Sequence, residues 1–157
     1  MKLRYIILLS LCLLFSCRPQ SEGLSGKVVS VADGDTMTIQ TRDGRRIKVR
    51  LEGIDAPEKG QDYGTKARNH LNDLCYGKIV TITHKGEDQY GRVLGVVYLG
   101  YLNVNEEMVR VGLAWYYSYF VTDIRLDSLD KEARRKKLNI WSMDNPVPPH
   151  QFRKSKR

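Results

Sequence analysis

The sequence predicts an α+β protein, a β-barrel combined with helices, and three observations predict it. Two Asp-Gly pairs, Asp33-Gly34 and Asp43-Gly44, sit between short alternating segments early in the chain, the pattern of strands joined by tight turns. Two further alternating segments recur at Ile79–Thr83 and Val93–Leu99. Three stretches instead place apolar residues at helical spacing, so five strands and three helices are expected. The 157 residues suit one compact domain with appendages.

Taken in order, Lys2 and Arg4 precede an apolar run from Tyr5 to Phe15 that is too short to span a bilayer as a folded anchor. This is the pattern of a secretory signal, expected over residues 1–16. Its end, Leu14-Phe15-Ser16-Cys17, resembles the lipobox of bacterial lipoproteins, in which cleavage precedes the cysteine and its thiol is acylated. Cys17 is therefore the expected lipidation site, and ordinary cleavage nearby with a freely secreted product is the alternative. Residues 17–25 read as a polar tether, 26–152 as one domain, and 153–157 as a disordered basic tail.

Within the domain, Val28–Ala32, Met37–Thr41 and Ile47–Leu51 form a meander, the first half of a barrel-like sheet. Gly64 to Leu74 is helical in pattern, with Ala67, Leu71 and Leu74 on one face, and Gly77 ends it. After the strands at 79–83 and 93–99, Asn103 caps a helix with Glu106 reaching back, which points Val104, Met108 and Val109 inward. Asp123 opens the last helix, expected through Leu138, with Leu126, Leu129 and Ala133 inward. Trp141 is expected to plug the core, and the proline-containing stretch 145–150 to pack as irregular chain.

The formal charge is +8. The 26 lysines and arginines less Lys2 and Arg4 still leave 24 against 18 acids, so the basic character belongs to the mature chain. That surplus favours polyanions, either nucleic acid or an acidic membrane surface. Cys12 leaves with the signal, Cys17 would carry lipid, and Cys75 is then alone, a buried small hydrophobe on a helix; no intrachain disulfide is expected. His70, His84 and His150 show no zinc-type spacing.

The stretch Val49 to Glu58, VRLEGIDAPE, is where chemistry concentrates. Its first half alternates as a strand, which breaks at Gly53 and delivers Asp55, Ala56, Pro57 and Glu58 into a turn stiffened by Pro57. One guanidinium, Arg50, and two carboxylates at a strand end suit a metal ion and a phosphate. Alone, such charges are more often simply solvated.

Four segments taken together, Asp33-Gly34-Asp35-Thr36, Arg50 with Asp55 to Glu58, Asp88 to Arg92 (DQYGR) and the aromatic run Trp115 to Phe120, resemble in order and spacing the staphylococcal nuclease (thermonuclease) family of calcium-dependent secreted nucleases. The resemblance runs from about Val28 to Trp141 and includes VNEEMVRVGLA and KKLNIWS. It implies an OB-fold-like five-stranded barrel with three helices. It also implies a Ca2+ ion on Asp35, Asp55 and the backbone carbonyl of Ala56, where the family commonly has threonine. Hard carboxylate oxygens from two strand ends are what calcium needs, with carbonyl and water completing the shell. Asp33 and Thr36 would support those ligands.

By the same resemblance Glu58 is the general base, or positions the attacking water. Arg50 and Arg92 would neutralise a phosphate whose charge grows in the transition state, a task that suits the planar fork of arginine. Tyr90, with Asp88 in the same loop, falls where the family contacts a terminal phosphate, although the lysine companion there is Gln89 in this chain. The family's two base-facing tyrosines fall near Ser118 and Phe120, so Tyr117, Tyr119 or Phe120 would stack on bases; alternatively several of these rings pack in the barrel wall.

The reading is a calcium-dependent phosphodiesterase, a monomer, cutting DNA and RNA to leave 3′-phosphates and held at the cell envelope by lipid on Cys17. Two alternatives belong to other classes. One is a catalytically silent nucleic-acid-binding barrel, and the other is a surface lipoprotein whose basic face holds anionic envelope components. Retention of Asp35, Arg50, Asp55, Glu58 and Arg92 together disfavours both.

Overall fold

The structure, a computed structural model, describes residues 23–119 and 122–156. The expected signal segment, Cys17, Phe120 and Arg157 lie outside the described residues. Among the described residues eight strands and four α-helices follow in the order β1 (Leu24–Val31), β2 (Thr36–Gln40), β3 (Arg46–Leu51), β4 (Ile54–Asp55), α1 (Gly64–Cys75), β5 (Ile79–Glu87), β6 (Val93–Leu99), β7 (Leu102–Asn103), α2 (Val104–Arg110), β8 (Trp115–Tyr116), α3 (Ile124–Arg135) and α4 (Pro149–Ser155), with a 3-10 turn at Asn139–Ser142 before α4.

Five strands in the order β3-β2-β1-β5-β6 close on themselves because β3 also pairs in parallel with β6. The expected five-stranded barrel is therefore what forms. Its closure sets Arg50 level with Leu94, two residues past Arg92. A separate short ladder joins β4 to β8 and pairs Asp55 with Trp115. Val28, Met37, Ile39, Val49, Val80, Ile82 and Val97 fill the barrel, and Leu71 of α1 and Met108 of α2 pack against it. A smaller cluster joins Trp115, Ala133, Ile140 and Trp141, with the two indoles edge-on at 5.2 Å between centroids. Trp141 does plug the core, on that side.

The two Asp-Gly turns form for different reasons. Gly44, at φ 87°, supplies the left-handed turn residue of the β2–β3 hairpin. Gly34 is needed for space instead: a Cβ there would stand 2.7 Å from both the Ala56 and Ala67 Cβ atoms. That close approach presses the β1–β2 loop onto the Ala56 turn and α1.

Several boundaries differ from expectation. β1 begins at Leu24, inside the expected tether, because residues 24–27 pair with Ile82 through Ile79 of β5. α3 stops at Arg135 rather than Leu138: the Leu138 N–H donates to the Ala133 carbonyl and the Lys137 N–H to the Arg134 carbonyl, with Lys137 left-handed at φ 53°. Asn103 caps α2 by accepting from the Glu106 N–H at 3.1 Å, but Glu106 reaches back to the Asn103 amide group rather than to its backbone, which is still paired with Tyr98. The tail is corrected most. It was expected as irregular and then disordered chain; instead Pro149 starts α4 at its first turn, where a missing N–H costs nothing. Among the described residues no helix is long and apolar enough to cross a membrane. Cys75 is buried on α1 and free, and burial pushes its thiol up to about 11.

Candidate active site

The site lies where the β1–β2 loop, the end of β3, the β4 turn and the β5–β6 loop meet. Arg50 is its hub. One guanidinium nitrogen, Nη2, stands 3.1 Å from Asp35 Oδ2 and 3.2 Å from Asp55 Oδ1, while Nη1 donates to the Leu51 carbonyl at 2.8 Å. Both carboxylates are deep, with side chains 7% and 2% exposed. The β-ladder places them: Thr36 pairs with Arg50 across β2–β3, and the Asp55–Trp115 pairing fixes the other wall.

The Asp35 carboxylate is gripped from several sides. Its Oδ2 accepts from the Ala56 N–H at 2.6 Å, its Oδ1 from the Thr36 hydroxyl at 3.1 Å, and Asp33 Oδ1 accepts from its backbone N–H at 3.1 Å. Burial pushes the Asp35 carboxyl up to about 8, against the opposing charge of Arg50. A carboxyl so placed gains most from a nearby positive charge.

Arg92 joins the same network. Its Nε stands 2.6 Å from Asp88 Oδ2, and its Nη1 points at the Thr36 hydroxyl at 3.5 Å. Asp88 organises the loop: its Oδ1 accepts from both the Tyr90 and Arg92 N–H groups at 2.9 Å, and Gly91 turns at φ 70°. Burial alone would raise the Asp88 carboxyl, but these hydrogen bonds hold it below the usual range. Both Asp88 oxygens are thus engaged within the loop, so its contribution is to aim Arg92 and Tyr90. The Tyr90 ring is exposed and lies 5.5 Å from the Arg92 guanidinium.

Glu58 faces the site from the far side of the β4 turn. Its N–H donates to Gln61 Oε1 at 3.0 Å, and Gln61 Nε2 donates to the Val147 carbonyl at 2.6 Å, tying this turn to the C-terminal segment. Gly64 makes the turn possible, since a Cβ there would lie 2.1 Å from the Glu58 carbonyl oxygen. Arg153 of α4 completes the set. Its fork spans both Asp55 oxygens at 3.1 and 3.2 Å and reaches Glu58 Oε1 at 2.5 Å. Burial works against the Arg153 charge, but the hydrogen bonds to Asp55 and Glu58 outweigh it and raise its pKa.

The chain of contacts Arg92–Thr36–Asp35–Arg50–Asp55–Arg153–Glu58 therefore unites residues that the sequence scatters over 118 positions' span, roughly three-quarters of the chain. The aromatic run is divided. Trp115 is core, Tyr116 accepts at its hydroxyl from the Asp123 N–H, and Tyr117 stacks on Tyr119 at 6.2 Å. Tyr117 also lies 6.1 Å from the His150 ring, which shares a helical face with Arg153. The Tyr117–Tyr119 pair thus borders the site beside α4.

The donors fit a hard cation. Two buried carboxylates converge with positive charge already drawn to them, and no imidazole or thiolate takes part. Among the described residues no group of three or more histidine, cysteine, aspartate or glutamate side chains closes on one point, so carbonyls and water would complete a shell. Arg153 and Gln61 were missed from the sequence. The Pro148-Pro149 pair ahead of His150–Arg153 was the available signal for a helix there.

Comparison with known proteins supplies the family context. A sequence family described as "Staphylococcal nuclease homologue" matches residues 48–143. An "Uncharacterized endonuclease" of Haemophilus influenzae is 40% identical over 156 residues, covering 98% of this chain and 88% of that protein. An "Uncharacterized endonuclease" of Escherichia coli is 47% identical over 135 residues, 85% of this chain and 87% of its own. A "Micrococcal nuclease" of Shigella flexneri is 42% identical over 143 residues, 84% of this chain and 82% of its own.

Proposed function

The chain belongs to the staphylococcal nuclease family, and on that premise we propose that it is a calcium-dependent nuclease hydrolysing phosphodiester bonds of DNA and RNA, with 3′-phosphate ends as products. The single observation that carries the reading is the convergence of Arg50 on two buried carboxylates, with Arg92 joined to them through Thr36. Asp35, Asp55 and the Ala56 carbonyl would hold Ca2+, which supplies Lewis acidity to a phosphate oxygen. Arg50, anchored on the Leu51 carbonyl, and Arg92, anchored on Asp88, would bind one phosphate together. They meet the charge that grows on its oxygens as water adds. Glu58 accepts the proton of that water as its oxygen bonds to phosphorus, while the bond from phosphorus to the 5′ oxygen breaks and that oxygen leaves as a hydroxyl, protonated from solvent. Tyr90, beside Arg92, would donate to a second phosphate, and the Tyr117–Tyr119 stack would offer a ring face to a base.

Glu58→Gln keeps the shape of that turn and removes the base. It should bind single-stranded DNA as the parent does and lose about 10²–10⁴-fold in turnover. Near-normal cleavage by Glu58→Gln would remove the residue from the mechanism. We also propose export to the cell envelope, with Cys17 as the acylation site and the protein a monomer. Radiolabelled palmitate should enter the wild-type chain and not Cys17→Ser, and labelling of both would refute the anchor.

A further inference from the structure

Arg153 grips the same carboxylate as Arg50 and shares its Oδ1. Its two terminal nitrogens cover both oxygens of a carboxylate only 2% exposed, and Nη1 also holds Glu58 Oε1 at 2.5 Å. A cation ligated by Asp55 needs one of those oxygens, and Arg50 already engages Oδ1. A divalent cation on Asp55 must therefore compete with the Arg153 guanidinium, which holds both oxygens, and Arg153 also occupies one oxygen of Glu58.

The means of holding differ in a way that makes the Arg153 grip releasable. Arg50 is 14% exposed and stands near the end of β3, a strand paired on one side with β2 and on the other with β6, whereas the Arg153 side chain is 44% exposed. The helix that carries it is seven residues long, buries only Pro149 and has no side-chain cap at its N-terminus. Its approaches to the rest of the molecule include the Gln61–Val147 hydrogen bond just before it and the His150–Tyr117 ring contact. Such an element opens at low cost.

We propose that Arg153 is a resident counter-cation of this site: helix α4 competes with the divalent cation for Asp55, and holds one oxygen of Glu58, until the metal displaces it. This rests on the reading above that Asp55 is a metal ligand. The apparent dissociation constant for the cation is the intrinsic one divided by the fraction of molecules with α4 open. An open fraction between about one-tenth and one-third weakens binding roughly 3- to 10-fold.

The test is isothermal titration of calcium into the purified protein without nucleic acid, for wild type, Arg153→Ala and Lys154→Ala. Lys154→Ala removes the same charge one residue away. Arg153→Ala should bind calcium about 3- to 10-fold tighter than wild type, with Lys154→Ala unchanged. Equal or weaker binding by Arg153→Ala, equal tightening by Lys154→Ala, or no calcium binding by any of the three overturns the proposal. Cleavage is read in parallel: tighter calcium binding by Arg153→Ala with no DNA cleavage by any protein upholds this competition and sinks the nuclease reading.

Discussion

Two arginines grip Asp55 at nearly equal distances, 3.2 Å from Arg50 and 3.1 Å from Arg153, yet the molecule builds them in opposite ways. Arg50 stands in β3, locked between β2 and β6, five residues from its partner. Arg153 arrives from a terminal helix 98 residues away. A guanidinium on a barrel strand is held in place whatever occupies the site, so it can serve a reaction. One on a short helix with few anchoring contacts is held largely by what it grips, so it can be exchanged. Identical chemistry thus yields a fixed part and a removable one.

That contrast predicts a graded series. Arg50→Ala removes the ion-pair partner of the buried Asp35, while Arg153 still holds Asp55, and should cost roughly 3 kcal/mol of stability in the metal-free protein, as breaking a buried ion pair does. Chemical denaturation with and without calcium measures it, and the deficit should shrink when calcium is present. A loss below about 0.5 kcal/mol would mean that Arg50 is no better seated than an exposed pair. Arg92→Ala should leave stability within about 1 kcal/mol, since its Asp88 partner is local and partly exposed. It should nonetheless lower turnover by about 10²-fold or more, as loss of a transition-state donor does. Single-turnover cleavage separates the two effects. Gln61→Ala is the mildest change: it removes the tie to Val147 and should cost about 1 kcal/mol. If α4 is held as described, it should also tighten calcium binding in the same direction as Arg153→Ala, but less.

The same contrast explains what was legible beforehand. Strand alternation and the Asp43-Gly44 turn are local signals, so the meander of β1 to β3 and the strand at Val93–Leu99 emerge from the sequence at once. Asn103 and Asp123 mark helix starts by the same local chemistry, and both do cap. Arg50 and Asp55 were readable together because they flank one strand end, whereas the addition of Asp35 and Arg92 came from the resemblance to the staphylococcal nuclease family. Elements defined by distant contacts were not readable. β4 and β8 are two residues long, too short for any periodicity, and exist because they pair with each other. Lys137 ends α3 in a conformation usually given to glycine, where no sequence signal marks it. Arg153 looked like one basic residue among several in a tail, and only its tertiary placement reveals two carboxylate partners. Gly34 misled in a subtler way: the residue is required, but by packing on Ala56 and Ala67 rather than by turn conformation.

The central claim is that this constellation is a calcium-dependent nuclease centre, and one measurement reaches it most directly. Single-stranded DNA is incubated with the purified protein in calcium, in magnesium, and in calcium with a selective chelator, and the ends of any fragments are identified. The account predicts cleavage only with free calcium, with phosphate on the 3′ ends. DNA left whole under all three conditions by well-folded protein, or cut equally well in chelator, would contradict it.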